Sequence, residues 1–213
     1  MLKVLNLYAG IGGNRKLWTD VEVTAVEIQP DIAKIYKDLF PEDKVIVADA
    51  HEYLLQHFAE FDFIWSSPPC QSHTRMRNLL NRFPQYKSKF PDMKLYEEII
   101  FLQHFAQGKF TVENVISYYE PLIEPYKSGN HYFWSNFKIS DMTLPRRNIK
   151  RKSKFKDHID EKIKEFGFEN LDLKGQKGQQ ILNNCVHPKL GNHILNCARG
   201  IIDEENVKQL QLF

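Results

Sequence analysis

Ser66-Ser67-Pro68-Pro69-Cys70-Gln71 is the segment with the clearest chemical potential. Two prolines fix φ and stiffen the backbone just ahead of the cysteine. A thiol held at the mouth of a site becomes a nucleophile once it is a thiolate. Ionisation needs a lowered pKa or nearby positive charge, and His73, Arg75 and Arg77 follow closely in the chain. A second chemical group comes later, in Glu113-Asn114-Val115. A carboxyl whose pKa is raised by burial can act as a general acid. A cysteine and an acid on neighbouring strands, facing one pocket, suit conjugate addition to a pyrimidine ring. The bland alternatives are an inert cysteine at a turn and a solvated strand-end glutamate; the paired prolines weigh against the first.

A nucleoside-binding pattern lies upstream. Ala9-Gly10-Ile11-Gly12-Gly13 follows a short apolar run, and Glu27 ends the next one. Glycines allow a tight turn and close backbone approach, and an acid at the second strand suits a ribose diol. The turn lacks the full G-x-G-x-x-G. Asp49, ending a third apolar run, suits an adenine amino group, although an Asp at a helix start is more often just its cap. Two acids at consecutive strand ends favour an S-adenosylmethionine-like or NAD-like ligand over a phosphate-only site.

These residues need a scaffold. Residues 4–8, 21–27, 44–48, 61–66 and 109–115 read as strands, with a sixth at 132–139. Helical spacing falls at 31–39, 51–58 and 94–107, and a short helix is expected at 14–18. Strands alternating with helices imply an α/β fold with a mostly parallel sheet and helices on both faces. Ligands of such sheets bind outside the carboxyl ends of the strands. The glycines, Glu27, Asp49, Pro69-Cys70 and Glu113-Asn114 all fall at those ends. After residue 139 the pattern dissolves: 141–156 is basic and irregular, 157–166 is a candidate helix, and 174–180 reads as a Gly/Lys/Gln-rich loop.

The chain's 213 residues are enough for one α/β domain with its own core. The net charge of +2 is almost balanced, but its distribution is not. Seven of the twelve residues from Pro145 to Lys156 are Lys or Arg, and from Ser72 to Phe90 there are five basic residues and no acids. Two acid-free basic stretches can make a footprint for a polyanion. Three cysteines without tight spacing (Cys70, Cys185 and Cys197) argue against a disulfide framework and against a metal site; Cys185 and Cys197 read as structural. No leader is visible and no apolar run is long enough to cross a bilayer, so a cytoplasmic protein is expected, with no membrane partner.

The residues so far resemble the DNA cytosine-5 methyltransferases. Tyr8 before Ala9-Gly10-Ile11-Gly12-Gly13 looks like that family's first motif, Glu27-Ile28 its ribose-binding acid and neighbour, and Asp49 its adenine-binding acid. Pro69-Cys70-Gln71 and Glu113-Asn114-Val115 match its nucleophile and E-N-V motifs, and Gly191-Asn192 looks like the G-N of its last motif. The resemblance implies a class I methyltransferase (Rossmann-like) fold with one antiparallel strand. It implies S-adenosylmethionine as cofactor, bound by Tyr8, Gly10, Gly12, Gly13, Glu27, Ile28, Asp49 and Asn192, with S-adenosylhomocysteine as product. It implies a catalytic set of Cys70, Glu113, Pro69 and Asn114. The partner is then DNA, whose target cytosine is flipped out of the helix, with Gln71, Arg75, Arg77 and Arg82 on a catalytic loop that closes over it.

The family's arginine pair after E-N-V is missing; the matching segment is Asn130-His131-Tyr132-Phe133-Trp134. His131, or Arg146 and Arg147 from the next segment, are the candidates to replace it. The organisation implied is a catalytic and cofactor-binding domain at 1–140, a short basic target-recognition region at 141–180, and a returning segment at 181–213. So short a recognition region predicts a short recognition sequence or weak specificity. The protein is expected to be a monomer; a restriction-modification partner or a recognition partner stays open. Three rivals stay open as well: an RNA cytosine-5 methyltransferase on the same scaffold, a non-catalytic DNA-binding regulator, and an NAD-dependent oxidoreductase.

Overall fold

The structure, a computed structural model, describes residues 1–142, 155–168, 171 and 173–201. Its centre is a seven-stranded sheet in the order β3-β2-β1-β4-β5-β7-β6. The strands are β1 (Leu2–Leu7), β2 (Val21–Val26), β3 (Lys44–Ile46), β4 (Phe63–Ser66), β5 (Lys109–Val115), β6 (Tyr126–Ser128) and β7 (His131–Ser135). From β3 to β5 all neighbours are parallel, and β7 runs antiparallel between β5 and β6. One antiparallel strand inserted near the edge of an otherwise parallel sheet gives the class I methyltransferase architecture, as the family resemblance implied. The order reverses between β1 and β4, and at such a switch point the connections leave a crevice beyond the strand carboxyl ends.

The central strands are apolar on both faces because helices cover both. Leu5, Leu7, Ile64 and Val112 pack on Leu54, Ile99 and Leu102 of α2 (Ala50–His57) and α4 (Lys94–Phe105). Val4, Phe63, Trp65 and Phe133 point the other way, onto Trp18 and onto Leu190, Ile194 and Leu195 of α7 (Pro188–Ala198). The alternation follows from the two-residue repeat of a strand. A third cluster joins Ile11 and Ala25 to Tyr36 of α1 (Pro30–Leu39), Ile159 of α5 (Phe155–Phe166) and Leu182 of α6 (Gly175–Asn183).

Four elements depart from the sequence reading. Residues 14–18 form successive turns, not a helix. Side chains pull this segment outward: Arg15 pairs with the buried Asp43 through Nε (2.8 Å) and Nη2 (3.0 Å), and Trp18 Nε1 donates to the Gly191 carbonyl at 3.0 Å. Residues expected as loop at 174–180 belong to α6, because Gly178 lets the helix lie against Leu173, where a Cβ would meet that backbone at 2.9 Å. The loop after Cys70 contains a short helix, α3 (Arg75–Leu80), capped by the Thr74 hydroxyl, which accepts from the Arg77 N–H at 3.1 Å. β6 is the fourth; three residues are too few to give a periodic signal. The basic run at 143–154 lies outside the described residues.

Candidate active site

A cleft of about 190 Å³ opens at the carboxyl ends of β1, β2, β4 and β5. It is lined by Tyr8, Gly10, Glu27 and Ile28 and by Pro69, Cys70, Gln71, Glu113 and His131. The sequence candidates at the ends of four different strands therefore share one cavity.

Glu27 is fixed by the backbone. The Gly10 N–H donates to one carboxylate oxygen at 3.0 Å and the Gln29 N–H to the other at 2.9 Å. Gly10 can aim its N–H there because it sits at φ +55°, a left-handed conformation that glycine adopts without steric cost. Gly12 and Gly13 do not line the cleft; they let the turn pack closely. A Cβ on Gly12 would meet the Phe40 ring at 2.4 Å, and one on Gly13 the Val186 carbonyl at 2.5 Å. Asp49 is a helix cap that also borders a cavity. It caps α2 by accepting from the Glu52 N–H at 3.1 Å, and it lines a second cavity of about 120 Å³ beside Tyr8, Pro68, Pro69 and His73.

Cys70 is half-buried at the mouth of the cleft. Burial, followed by the negative charge of Glu113, pushes its thiol up to about 11. The expectation that His73, Arg75 and Arg77 lower it is corrected here. His73 is itself buried, its Nδ1 lies 2.5 Å from the Tyr119 hydroxyl, and burial holds its pKa below the usual histidine value. Arg75 and Arg77 sit on α3, and neither lines the cleft. A cation several residues away in sequence is carried off by the helix that the sequence did not reveal.

Glu113 is 7% exposed, and burial raises its pKa, opposed by His131 and by a hydrogen bond from Ser67. Trp65 Nε1 donates to that Ser67 hydroxyl at 2.7 Å and so orients it. Register pairs His131 with Val115, and His131 Nε2 stands 3.7 Å from the Glu113 carboxylate. Asn114 points inward, and its Nδ2 donates to the Pro68 carbonyl at 3.0 Å.

Other candidates fall elsewhere. Arg75 and Arg82 are exposed and Arg77 is half-buried, all away from the cleft. Arg146 and Arg147 lie outside the described residues. Asn192 does not line the cleft either. Its neighbour Gly191 instead abuts the Asn14 backbone, where a Cβ would meet the carbonyl oxygen at 2.3 Å. The returning segment reaches the cleft through Asn183, Asn184, Cys185 and Val186. Cys185, read as structural, is thus a wall residue, though burial pushes its thiol up to about 12. Sequence reading also missed Glu98. It is fully buried, with hydrogen bonds to Tyr8, Ser66 and His51. The available signal was a carboxylate on the apolar face of a helix, between Leu95 and Leu102.

A class I methyltransferase fold here carries a thiol, an acid and a backbone-anchored carboxylate in one cleft. Residues 2–115 match the family described as C-5 cytosine-specific DNA methylase, and the chain belongs to that family. Similar curated proteins are the tRNA (cytosine(38)-C(5))-methyltransferases of Spodoptera frugiperda and Homo sapiens. The first is 35% identical over 80 residues, 34% of this chain and 24% of that protein. The second is 32% identical over 82 residues, 35% of this chain and 21% of that protein. The match therefore spans about a quarter of those relatives' length. Among solved structures, a triple mutant of Spodoptera frugiperda DNMT2 aligns at 27% identity and TM-score 0.38, over 54% of this chain and 36% of that one. A SAM-dependent methyltransferase from Agrobacterium tumefaciens aligns at 15% identity and TM-score 0.39, over 55% and 40%. Family membership implies S-adenosylmethionine as cofactor, and a cleft walled by an anchored carboxylate and a glycine turn fits it. No helix among the described residues is long and apolar enough to cross a membrane.

Proposed function

We propose that this protein transfers a methyl group from S-adenosylmethionine to C5 of cytosine in DNA through a covalent adduct between Cys70 and C6. The observation that carries this reading is that Cys70, Glu113 and Glu27 line one cleft.

The cofactor supplies an electrophilic methyl group; the protein's residues do the rest. Glu27 holds the ribose hydroxyls, and Tyr8, Gly10, Ile28 and Asp49 complete the donor site, with Gly12 and Gly13 letting its turn close. Glu113, with its raised pKa, carries a proton that it gives to N3 of a flipped cytosine as the Cys70 thiolate adds to C6. The two groups assist each other. A protonated Glu113 no longer places a negative charge beside the thiol, so thiolate and neutral acid favour one another. Addition makes C5 nucleophilic; once C5 carried the methyl group, with S-adenosylhomocysteine as the leaving group, a base would remove the C5 proton, Glu113 would take back the proton on N3, and the Cys70 thiolate would depart. Asn114 holds the Pro68-Pro69 turn that aims the thiol. His131 faces the same pocket, and its buried Nδ1 has no partner among the described residues; it takes the place of the missing arginine pair on the base. Gln71, Arg75, Arg77 and Arg82 meet the DNA backbone.

A second reading, methylation of RNA, is supported by the names of the two curated relatives. Incubation with labelled S-adenosylmethionine and either duplex DNA or tRNA, then digestion to nucleosides, separates the two. Our reading expects 5-methyldeoxycytidine with the wild type and none with Cys70→Ser. Product from tRNA alone favours the second reading, and product from neither overturns both.

A further inference from the structure

Beneath the cleft lies a buried polar cluster centred on Glu98 of α4. The Tyr8 hydroxyl donates to Oε1 at 2.5 Å, the Ser66 hydroxyl to Oε2 at 2.6 Å, and His51 Nδ1 lies 3.1 Å from Oε1. Glu98 and Ser66 are fully buried and His51 is 7% exposed. Each partner belongs to a different strand-end turn. Tyr8 closes β1 in a left-handed conformation, φ +55°, that a tyrosine rarely holds unaided, and its ring lines both cavities. His51 lies two residues after Asp49, in the first turn of α2. Ser66 ends β4, four residues before Cys70. One carboxylate therefore fastens the nucleoside-side turns to the nucleophile turn.

We propose that the Glu98 cluster is a positioning device for the donor site: it holds Tyr8 and Asp49 in register with the Cys70 turn, and cofactor affinity follows the protonation of His51. This rests on the assignment of the cleft to S-adenosylmethionine. The groups facing His51 are Glu98, Glu97 and Lys94 of α4; Tyr8, Asp49, His73 and Asp92 share its cavity. The Glu98 hydrogen bond raises the His51 pKa; burial opposes this, and the charges of Glu98 and Glu97 add to it. The cationic form therefore offsets the buried carboxylate. Its contribution to the stability of the folded cluster is complete below the ordinary histidine pKa and is lost as pH rises through the raised one, which loosens the hold on Tyr8 and Asp49. His73 moves the other way, held below the ordinary histidine value by burial, with Asp92 opposing.

The test is calorimetric titration of the full chain with S-adenosylhomocysteine, from about pH 6 to about pH 9, the range in which a raised histidine titrates. Wild-type affinity is expected to fall severalfold as pH rises. His51→Asn, which keeps an N–H donor but no titratable ring, is expected to give a flat profile. Glu98→Gln is expected to bind roughly tenfold more weakly, since it leaves buried donors poorly matched, and Tyr8→Phe to shift the same way by less. If Glu98→Gln does not fold, Tyr8→Phe and His51→Asn decide the matter. Unchanged affinity in the foldable variants with a wild-type pH slope retained in His51→Asn overturns this proposal alone. No binding by the wild type at any pH overturns the cofactor assignment and the proposal with it.

Discussion

Asn114 and Pro68 are 46 residues apart in the chain and joined by one hydrogen bond, Nδ2 to carbonyl oxygen at 3.0 Å. The bond ties the strand that carries Glu113 to the turn that carries Cys70. A peptide carbonyl next to proline has no helical or sheet partner here, so a side chain must satisfy it. In the proposed reaction that bond would hold Glu113 and Cys70 in one arrangement.

Asn114→Ala removes a fully buried donor from that carbonyl. Stability is expected to fall by about 1–3 kcal/mol. Turnover is expected to fall further than S-adenosylhomocysteine affinity, because the Cys70 turn is released while the Glu27 side is untouched. Chemical denaturation and paired binding and rate measurements check this; equal losses in both would refute it.

Cys70 is expected to be a sluggish thiol in the free protein. With its pKa at about 11, little thiolate exists at neutral pH, and alkylation accelerates roughly tenfold per pH unit until that value is neared. Cys197 provides an internal comparison. Burial opposes its ionisation, but His193 and Ser140 hydrogen bonds outweigh burial and lower its pKa. Iodoacetamide labelling followed by mass spectrometry should modify Cys197 before Cys70 and Cys185. Cys70 reacting first at neutral pH would contradict the account.

Glu113 links stability to pH with a definite sign. Its folded-state pKa is raised above the ordinary 4.5, chiefly by burial, so the native state holds its proton longer than the unfolded chain. Its contribution is complete below the ordinary value and is lost as pH rises through the folded one. Glu113→Gln, neutral at every pH, should gain stability relative to the wild type across that window while losing methyl transfer. Denaturation curves at several pH values test it; a wild type that gains stability over the variant across the window would be inconsistent.

Gly191→Ala separates packing from chemistry. The added Cβ would meet the Asn14 backbone at 2.3 Å, which cannot yield without moving the glycine turn's base or α7. A cost of about 1–3 kcal/mol is expected from overpacking. Gly191 does not line the cleft, so the folded fraction should retain cofactor affinity close to the wild type. Thermal melts and titration below the melting range check both halves.

Much of the catalytic half was legible because its signals are local. Apolar strands, Gly10, Glu27, Asp49, Pro69-Cys70 and Glu113 each sit at a strand end, and the parallel sheet brings strand ends together by construction. Most of the misses are long-range. The turns at 14–18 are set by Asp43 and Gly191, the wall at Asn183–Asn184 by the return of a distant helix, and the environment of Cys70 by a cap at Thr74 that turns the arginines away. Asp43, Gly191 and the returning helix lie outside any local window; the Thr74 cap is local, but the six-residue helix that follows it is too short to give a periodic signal. Glu98 was readable only as an anomaly, a carboxylate on the apolar face of a helix, since its three partners come from three other elements.

The central claim is the covalent bond between Cys70 and C6 of cytosine. An oligonucleotide duplex with 5-fluorocytosine at the target positions tests it most directly, because fluorine cannot leave C5 as a proton does and the adduct persists after methyl transfer. With S-adenosylmethionine present, the account predicts a denaturation-resistant complex whose protein cross-link maps to Cys70 by mass spectrometry, and no complex with Cys70→Ser. Methylated cytosine formed by the wild type without any adduct at Cys70, or by Cys70→Ser at an undiminished rate, would contradict it.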